Sequence, residues 1–426
     1  MRVRRGKRDR LLAQSTEPYP VAVPRSHSLR DVRDTWGELT AGEETDAVVS
    51  VTGRVVFIRN TGKLCFATLQ EGLSLNDSGV RVQAMLSLAE VGEDLLAAWK
   101  TDVDLGDFVS VTGRVIASKR GELSVLASSW QLASKALRPI PNLHTELSDE
   151  VRVRQRYADL TVREAARDMV RTRALVTRSL RETLHAEGYL EVETPILQLV
   201  HGGARARPFR THLNAFDTSM TLRIALELFL KRAVIGGVER VYEIGRTFRN
   251  EGIDSTHSAE FTMLEVYEAW GDQRSIAALA QRLIIGAADA IGSRQIQTPA
   301  GPIDLDGEWR WLGVYPGLSA AVDEKVTPDT DAEVLRGLAD RHQVAVDPDW
   351  SAEKLIMELF GELVEPTLQQ PTFVCDYPPS AQPLARPHRG DPRLIEAWDL
   401  IIGGVECGTG FSELIDPVIQ RERLTA

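Results

Sequence analysis

The chain has 426 residues, of which 43% are hydrophobic and 26% are charged, and its formal net charge is −11. This balance is typical of a globular protein in water, and the length predicts two or three domains rather than one core. No run of about 18 apolar residues occurs, so no membrane span is expected. The acidic balance counts mildly against nucleic-acid binding, but screening within about 8–10 Å leaves room for a local basic surface.

Residues 1–45 are predicted to form an N-terminal helical extension, broken by Pro18, Pro20 and Pro24. Its start is strongly basic, and the apolar patch 11–13 that follows is too short for a signal peptide. The basic residues are Arg2, Arg4, Arg5, Lys7, Arg8 and Arg10. Two interpretations stay open: a solvated helix end, or an arm that contacts phosphate.

The cysteines Cys65, Cys375 and Cys407 lie far apart in the sequence, and no CxxC pair occurs. The pattern therefore indicates neither a zinc site nor a disulfide framework. Reduced thiols fit a cytoplasmic protein best, which is the location we expect.

Residues 46–133 are predicted to be rich in β-strands, with a helix over 90–100 whose apolar residues have helical spacing. Three strands, a helix and two strands is the order of an OB-fold barrel, which binds oligonucleotides on one face. The strands are predicted near 47–58, 63–70, 79–86, 107–118 and 121–133.

This predicted barrel carries Phe57, Phe66, Gln83 and Glu122. Aromatic side chains on its surface can stack on bases, while Gln or Glu can hydrogen-bond to a base edge. For each phenylalanine taken alone, a place in the barrel core is the alternative.

A linker is predicted over 134–149, where Pro139 and Pro141 disfavour helix. Residues 150–426 are predicted to mix helices and strands, beginning with a long helix near 162–187 that ends at Gly188. A short strand follows and stops at Pro195. Neither GxGxxG nor GxxxxGK[ST] occurs, so no dinucleotide fingerprint or P-loop is present.

A charged loop between two predicted strands contains Arg249, Glu251 and His257. A fixed guanidinium binds phosphate through strong, charge-assisted hydrogen bonds, so this loop is a candidate nucleotide-binding and catalytic element. A solvated hairpin tip explains any one of these charges, but it explains the whole set poorly.

Several segments together resemble the class II lysyl-tRNA synthetases of bacteria, in their actinobacterial form. FRNEG followed by EFTMLEVYEA resembles motif 2 of the class, and GYLEVETPIL resembles motif 1, whose proline lies at a dimer interface. The lysine-specific likeness rests on HGGARARPFRTH, LRIALELFLKRAVIGGVERVYEIGR and GTGFSELIDPVIQRER. The resemblance implies an α+β protein, with an OB-fold anticodon-binding barrel over 46–133 and an antiparallel-sheet catalytic domain over 150–426.

The resemblance also implies the reaction and its participants. L-lysine would be activated with ATP as co-substrate and Mg²⁺ as cofactor, and transferred to the 3′ end of tRNA(Lys) by a homodimer. Phe57, Phe66, Gln83 and Glu122 would contact the anticodon. Alternatives are a diverged paralogue that binds tRNA or lysine without charging, and a module related to bifunctional enzymes that lysylate lipid.

Site residues follow from the resemblance one by one. Glu227, Gly202 and Gly203 would meet the α-amino end of lysine, and Tyr267 and Glu413 the ε-ammonium, with Phe411, Glu265 and Thr409 in the same pocket. Arg249 would bridge the lysine carboxylate and the α-phosphate. Glu251, His257 and Glu406 would contact ATP, Phe261 would stack on adenine, and Asp399 and Glu406 would bind Mg²⁺.

The chain departs from the family pattern at a few positions. Leu226 stands where a proline is usual, which predicts a slightly looser pocket, while Thr409, Asp399 and Ala259 replace asparagine, glutamate and proline. The sequence reaches Ala426 before a segment like motif 3. We therefore expect these 426 residues to be a fragment, or else a protein that has lost adenylation, and to form little lysyl-adenylate as they stand.

Overall fold

The computed structural model describes residues 1–142, 145–204, 206–254 and 257–425. Part of the predicted linker and Arg205 of the HGGARARPFRTH segment lie outside the described residues. The chain divides into two compact units, Met1–Leu175 and Val176–Ala426. No described helix is both long enough and apolar enough to cross a membrane.

The first unit contains a closed barrel with strand order β1-β2-β3-β5-β4. The predicted strands and the helix between the third and fourth of them are confirmed. The strands are β1 (Glu44–Thr61), β2 (Leu64–Gln70), β3 (Arg81–Ser87), β4 (Phe108–Ala117) and β5 (Leu123–Ser134). The helices of this unit are α1 (Arg2–Ala13), α2 (Leu29–Trp36), α3 (Leu88–Asp102), α4 (Asp149–Arg154), α5 (Arg156–Val162) and the first half of α6 (Glu164–Ala186).

Alternation along the strands decides which side chains fill the barrel. In β3, Val82, Ala84 and Leu86 are buried, while the residues between them are not. Such period-2 burial is expected of a sheet with one wet face. Trp99 of α3 is also buried and packs in the same core.

The basic residues of α1 make contacts within the first unit. Lys7 pairs with Asp104 at 2.8 Å, Arg10 pairs with Asp102, and Arg4 donates to the backbone oxygen of Ala136 at 3.0 Å. At least these three cations therefore have partners within the first unit, a packing that neither interpretation of the sequence included.

The second unit contains antiparallel sheets flanked by helices. The sheet orders are β11-β10-β6, β14-β15-β16-β17, β7-β9-β8 and β12-β13, with β6 parallel to β10 and β14 parallel to β15. The strands are β6 (Leu190–Glu191), β7 (Leu197–Gln198), β8 (Arg210–Leu213), β9 (Thr218–Leu222), β10 (Arg240–Phe248), β11 (Glu260–Glu268), β12 (Gln295–Thr298), β13 (Gly301–Asp304), β14 (Arg310–Gly313), β15 (Thr372–Cys375), β16 (Ala397–Ile402) and β17 (Val405–Phe411).

Helices pack around these sheets. They are the second half of α6, α7 (Glu227–Ile235), α8 (Gln273–Ile291), α9 (Val314–Val322), α10 (Ala332–His342), α11 (Ala352–Leu363) and α12 (Pro417–Thr425). An aromatic cluster joins the sheet to α8, with the Phe373 ring centroid 5.0 Å from that of Trp398, whose indole N–H donates to the Gln273 backbone oxygen at 2.7 Å. This packing fixes β16 and β17, which carry several predicted site residues.

Candidate active site

One pocket in the second unit is formed by residues from three segments that are distant in sequence. Glu227 opens α7, Glu265 and Tyr267 lie on β11, and Phe411 and Glu413 lie at and just after the end of β17. Glu227 is buried, and the other four are half-buried. The antiparallel pairing of β10 with β11 sets the register of the two β11 residues, Glu243 opposite Glu265 and Val241 opposite Tyr267.

The ammonium group of Lys231 lies inside this pocket. Its Nζ is 2.5 Å from Oε1 of Glu227, one helical turn earlier, and 2.7 Å from Oε1 of Glu413. It also lies 5.7 Å from the ring centroid of Phe411. Two carboxylates that are predicted to bind the ammonium groups of lysine, and the phenylalanine predicted to pack along its stem, therefore surround an ammonium of the chain itself.

Glu265 is held by donors on either side of its carboxylate. The backbone N–H of Leu226 donates to Oε1 at 2.8 Å, and the Tyr267 hydroxyl donates to Oε2 at 3.1 Å. Leu226 is the residue that replaces a proline of the family pattern, and proline has no backbone N–H to donate. The predicted loosening at Leu226 stays a prediction, but the structure adds a hydrogen bond that it did not include.

Burial strongly affects the ionisable groups of the pocket. It raises the pKa of Glu265 and of Glu413, and Lys231 partly counteracts the shift at Glu413. Burial acts to lower the pKa of Lys231, but the charges of Glu227 and Glu413 outweigh it, so the pKa of this ammonium is raised. This pocket, which is largely removed from water, therefore stabilises a bound cation and destabilises an ionised carboxylate that has no cationic partner.

Gly203 brings backbone close to the first turn of α7. Its φ of +88° is accessible mainly to glycine, and a Cβ there would lie 3.0 Å from Cβ of Glu227. At Gly202 a Cβ would lie 2.7 Å from a methyl group of Leu228. Gly203 therefore stands against Glu227, which is predicted to bind the α-amino end of lysine, and Gly202 stands against the next residue of α7.

A second cluster lies around Arg249, at the end of β10. Its guanidinium carbon is 5.3 Å from the ring centroid of Phe261, and its Nε donates to the backbone oxygen of Ile224 at 3.3 Å. Arg249 is also close enough to Glu406 to act against the rise in the pKa of that carboxyl. The structure therefore brings three of the predicted ATP-binding residues together.

Glu251 and His257, on the loop that follows Arg249, are exposed. Oε1 of Glu251 accepts a hydrogen bond from the backbone N–H of Arg207 at 3.3 Å. Nδ1 of His257 lies 2.9 Å from a carboxylate oxygen of Asp254. Glu251 and His257 thus occupy the predicted loop between β10 and β11.

Carboxylates gather on neighbouring strands of the four-stranded sheet. Asp399 of β16 pairs in register with Thr409 of β17, and Ile401 pairs with Glu406. Burial raises the pKa of Asp399, and burial together with the charges of Asp399 and Glu365 raises the pKa of Glu406. Negative charge is thus concentrated here, which a cation would relieve.

These carboxylates do not form a full metal cage. Among the described residues, no three His, Cys, Asp or Glu side chains stand close enough to hold an ion together. A magnesium site does not require such a cage, because Mg²⁺ is usually held by one or two carboxylates, water and substrate phosphates. Asp399 and Glu406 therefore fit a metal bound jointly with a nucleotide.

A buried ion pair supports the sheet that carries these groups. Arg223 donates to Glu243 Oε1 at 2.7 Å, and their side chains are only 3% and 5% exposed. Thr194 donates to Glu243 Oε2 through its backbone N–H at 3.0 Å and its hydroxyl at 2.6 Å. Arg223 also donates to the backbone oxygen of Arg246 at 2.7 Å. The network joins the motif 1 segment to β10.

Gly245 makes room for this ion pair. A Cβ at this position would lie 2.3 Å from a guanidinium nitrogen of Arg223 and 2.8 Å from Glu243 Oε1. Any larger residue would therefore displace the pair.

In the first unit, the predicted nucleic-acid-binding residues share the outer face of the barrel. Phe57 is exposed, and Phe66 and Gln83 are half-buried, so neither phenylalanine lies in the barrel core. Phe57 pairs with Thr68, which pairs with Gln83 on the next strand. The guanidinium carbon of Arg59 lies 4.8 Å from the ring centroid of Phe66.

Neighbouring residues fix the orientation of the Gln83 amide. Gln83 Nε2 donates to Ser124 Oγ at 2.8 Å, and that hydroxyl donates to the backbone oxygen of Glu122 at 2.8 Å. Since a serine hydroxyl has one hydrogen, Ser124 must accept from the amide nitrogen. The Gln83 amide oxygen is then placed to accept a hydrogen bond from a ligand, beside the exposed Glu122.

Comparison with known proteins matches both units. Residues 148–426 match the family model described as tRNA synthetases class II (D, K and N), and residues 49–133 match an OB-fold nucleic acid binding domain. The lysine–tRNA ligase of Kineococcus radiotolerans is 58% identical over 426 residues, 99% of this chain and 84% of that protein. The chain belongs to the lysine–tRNA ligase family of class II tRNA synthetases.

Other relatives agree with this membership in the ligase family. The lysine–tRNA ligase of Mycolicibacterium gilvum is 54% identical, over 100% of this chain and 85% of that protein. A lysylphosphatidylglycerol biosynthesis bifunctional protein of Mycobacterium ulcerans, LysX, is 43% identical over 100% of this chain but only 38% of that protein. The α+β fold, with an OB-fold barrel before a class II synthetase domain, is confirmed.

Three residues of the candidate site and its supporting network were not predicted from the sequence. Lys231 stands four residues after Glu227 on a helix, and that spacing is a signal for contact that could have been used. Glu365 and Arg223 had no such signal, because their partners Asp399 and Glu243 are distant in sequence.

Proposed function

We propose that this protein is a cytoplasmic lysine–tRNA ligase that activates L-lysine with ATP and transfers it to tRNA(Lys). The observation that carries the proposal is the pocket of Glu227, Glu265, Glu413 and Tyr267, which already stabilises an ammonium group. A desolvated cationic substrate requires carboxylate partners, because an unpaired buried charge is very costly. The free thiols at Cys65, Cys375 and Cys407 fit a reducing compartment.

In this proposal the pocket binds both ends of the amino acid. Glu227 and the backbone at Gly203 meet the α-ammonium, while Glu413 and Tyr267 meet the ε-ammonium. Phe411 packs along the aliphatic stem. Glu265, held by Leu226 and Tyr267, adds negative charge to the same wall.

Activation follows from the second cluster. The lysine carboxylate is already ionised and attacks the α-phosphate in line, while the bond from the α-phosphorus to the bridging oxygen of the β-phosphate breaks and pyrophosphate leaves, so positioning and charge stabilisation supply the catalysis. Arg249 is placed to contact the carboxylate and the phosphate, and Phe261, beneath its guanidinium, to stack on adenine. Glu251 and His257 lie in the loop between β10 and β11 and would approach ATP when it binds.

Asp399 and Glu406 would hold Mg²⁺ together with the phosphates, and Thr409 stands opposite Asp399. The ion would supply positive charge where the phosphate oxygens gain negative charge. The chain's own contribution is a pair of carboxylates fixed by the pairing of β16 with β17, beside a third at Glu365.

The outer face of the barrel is proposed to bind the anticodon. Phe57 and Phe66 would stack on unpaired bases, and the Gln83 amide oxygen would accept from a base N–H, with Glu122 beside it. The support is their common outward face and the fixed orientation of the amide. Arg59, over Phe66, adds positive charge for a phosphate.

Replacement of Phe66 by alanine is expected to weaken tRNA binding by about 1–3 kcal/mol, since one stacking surface is lost. Fluorescence anisotropy with labelled tRNA(Lys) measures the change. Phe216→Ala, which removes an exposed phenylalanine of the second unit, is the matched control and should bind as the parent does. An unchanged affinity in a folded Phe66→Ala protein would contradict stacking at this residue.

A homodimer is proposed through the motif 1 region around Pro195. The support is a group of exposed apolar side chains near this proline, at Leu190, Leu197, Leu199 and Val200. Monomeric proteins seldom expose so many large apolar side chains in one short segment. Sedimentation equilibrium should give twice the mass of one chain, and Leu199→Lys should shift it toward the monomer. A single-chain mass for the parent would rule out this arrangement.

The proposed activity is tested by ATP–pyrophosphate exchange and tRNA charging with the complete gene product. Exchange is expected with L-lysine and not with L-aspartate or L-asparagine, the substrates named by the other letters of the family description. Charging should require tRNA(Lys). Lysine binding without exchange or charging would favour the non-charging paralogue instead.

A further inference from the structure

The setting of Lys231 carries a further inference, which rests on the proposed function. Lys231 lies on the inner side of α7, and its ammonium contacts Glu227 of the same helix and Glu413 after β17. Glu265 and Tyr267 are the titratable groups that face this cluster from β11. Strand β10 also packs against α7, and it carries Glu243, which is paired with Arg223. Lys231 has no place in the ligand set that the sequence predicts.

A count of charges shows what this cation does. Glu227, Glu265 and Glu413 bring three negative charges when ionised, and Lys231 brings one positive charge. The pocket is left with two unbalanced carboxylates. L-lysine brings two ammonium groups to it, while its carboxylate is directed to Arg249.

We propose that Lys231 is a resident counter-ion of the amino-acid pocket, which sets its net charge to match the two ammonium groups of the substrate. It acts through Glu227 and Glu413 and is therefore a positioning residue. Each of these carboxylates contacts Lys231 through Oε1, so that Oε2 is the oxygen offered to a bound ammonium.

The consequence of removing the cation follows from burial. Three carboxylates that are largely removed from water and have no cation among them cannot all stay ionised, because each disfavours the charge of the others. One of them then carries a proton in the empty pocket, and binding of a dication must release that proton. The raised pKa of Glu265 and of Glu413 indicates which carboxyls are nearest to this state.

The sign of the pH dependence follows from this linkage. If binding releases one proton, affinity rises with pH, by about tenfold per pH unit below the pKa of the protonated carboxyl. The parent keeps its counter-ion, and its affinity for L-lysine should change less over the same range. A variant without the ammonium should therefore show the steeper slope.

The experiment is isothermal titration of L-lysine between pH 6 and pH 8 in two buffers of different ionisation enthalpy, which reports proton release directly. Lys231→Met should release about one more proton per lysine than the parent. Lys231→Arg keeps the charge and should restore the parent's proton count. Lys325→Met removes an exposed lysine elsewhere and should leave it unchanged.

The possible results separate the alternatives. An unchanged proton count and slope in folded Lys231→Met would overturn the proposal and leave Lys231 a structural ion-pair partner. Tighter lysine binding without extra proton release would overturn it in favour of a simple competitor for the pocket. If Lys231→Met does not fold, Lys231→Gln provides the same comparison. A parent that binds no lysine contradicts the proposed function itself.

Discussion

Replacement of Arg249 by methionine is expected to slow lysine-dependent ATP–pyrophosphate exchange by about 10²–10³-fold. The reason is geometric: this guanidinium is held at the end of β10, over Phe261 and beside Glu406, where the two substrates are proposed to meet. A preorganised donor of this kind stabilises the charge that develops on the phosphate without reorganising during the step.

The matched control for this prediction is Arg246→Met. Arg246 lies three residues earlier, on β10, but it is exposed and its acidic partner, Glu260, is 3.6 Å away. It should retain nearly the parent's rate. Equal rates for Arg249→Met and Arg246→Met would remove Arg249 from the catalytic assignment.

Replacement of Arg223 by methionine is expected to lower the stability of the β10–β11 sheet by about 3–5 kcal/mol. Glu243 would remain as a buried carboxylate without its cation, and the link to the Thr194 segment would be weakened. Native-state hydrogen exchange of the β10 amides measures the loss as a lower free energy of local opening.

A double variant distinguishes the ion pair from simple packing. Arg223→Met with Glu243→Met removes both charges and should recover much of the lost stability, because no charge is then left unpaired. Arg246→Met removes an exposed cation and should change stability by less than about 1 kcal/mol. A double variant no more stable than Arg223→Met would show that the charge of Glu243 is not the cause.

The barrel could be predicted from the sequence because its information is local. Alternation along β3 places Val82, Ala84 and Leu86 inward, so Gln83 must face outward, and the same period applies to Phe66 on β2. Gly62 supplies the positive φ at the turn between β1 and β2. The cross-strand pairing that lines up Phe57, Thr68 and Gln83 follows from that register.

The active site was predictable only in part. The resemblance predicts Glu227, Glu265 and Glu413 as lysine-binding residues, but it does not predict that Lys231 lies between the first and the last of them. The contact between Lys231 and Glu413 depends on how β17 packs near α7, which no local pattern encodes. For the same reason, no local pattern indicated that Glu365 lies close to Asp399.

The length of the strand near motif 1 is another feature that the sequence predicts only in part. The alternation before Pro195 predicts a short strand, and β6 is indeed present but covers only Leu190–Glu191. The residues after it turn toward the Arg223 network, where the backbone N–H of Thr194 donates to Glu243 rather than to a neighbouring strand. The Thr194 N–H thus bonds to a buried side-chain carboxylate and not to the backbone carbonyl of a neighbouring strand. The spacing of apolar and polar residues cannot reveal such a substitution.

The hydrogen bond from Leu226 to Glu265 makes these two positions epistatic. A proline at 226 would favour the helical start of α7, yet it would remove the backbone donor and leave Glu265 more dependent on the Tyr267 hydroxyl. We therefore expect Leu226→Pro to weaken the positioning of Glu265 in this chain, and to have little effect in a relative where other groups hold the carboxylate. A pocket transplanted between relatives must carry both positions together, because the backbone at 226 is part of what positions the carboxylate at 265.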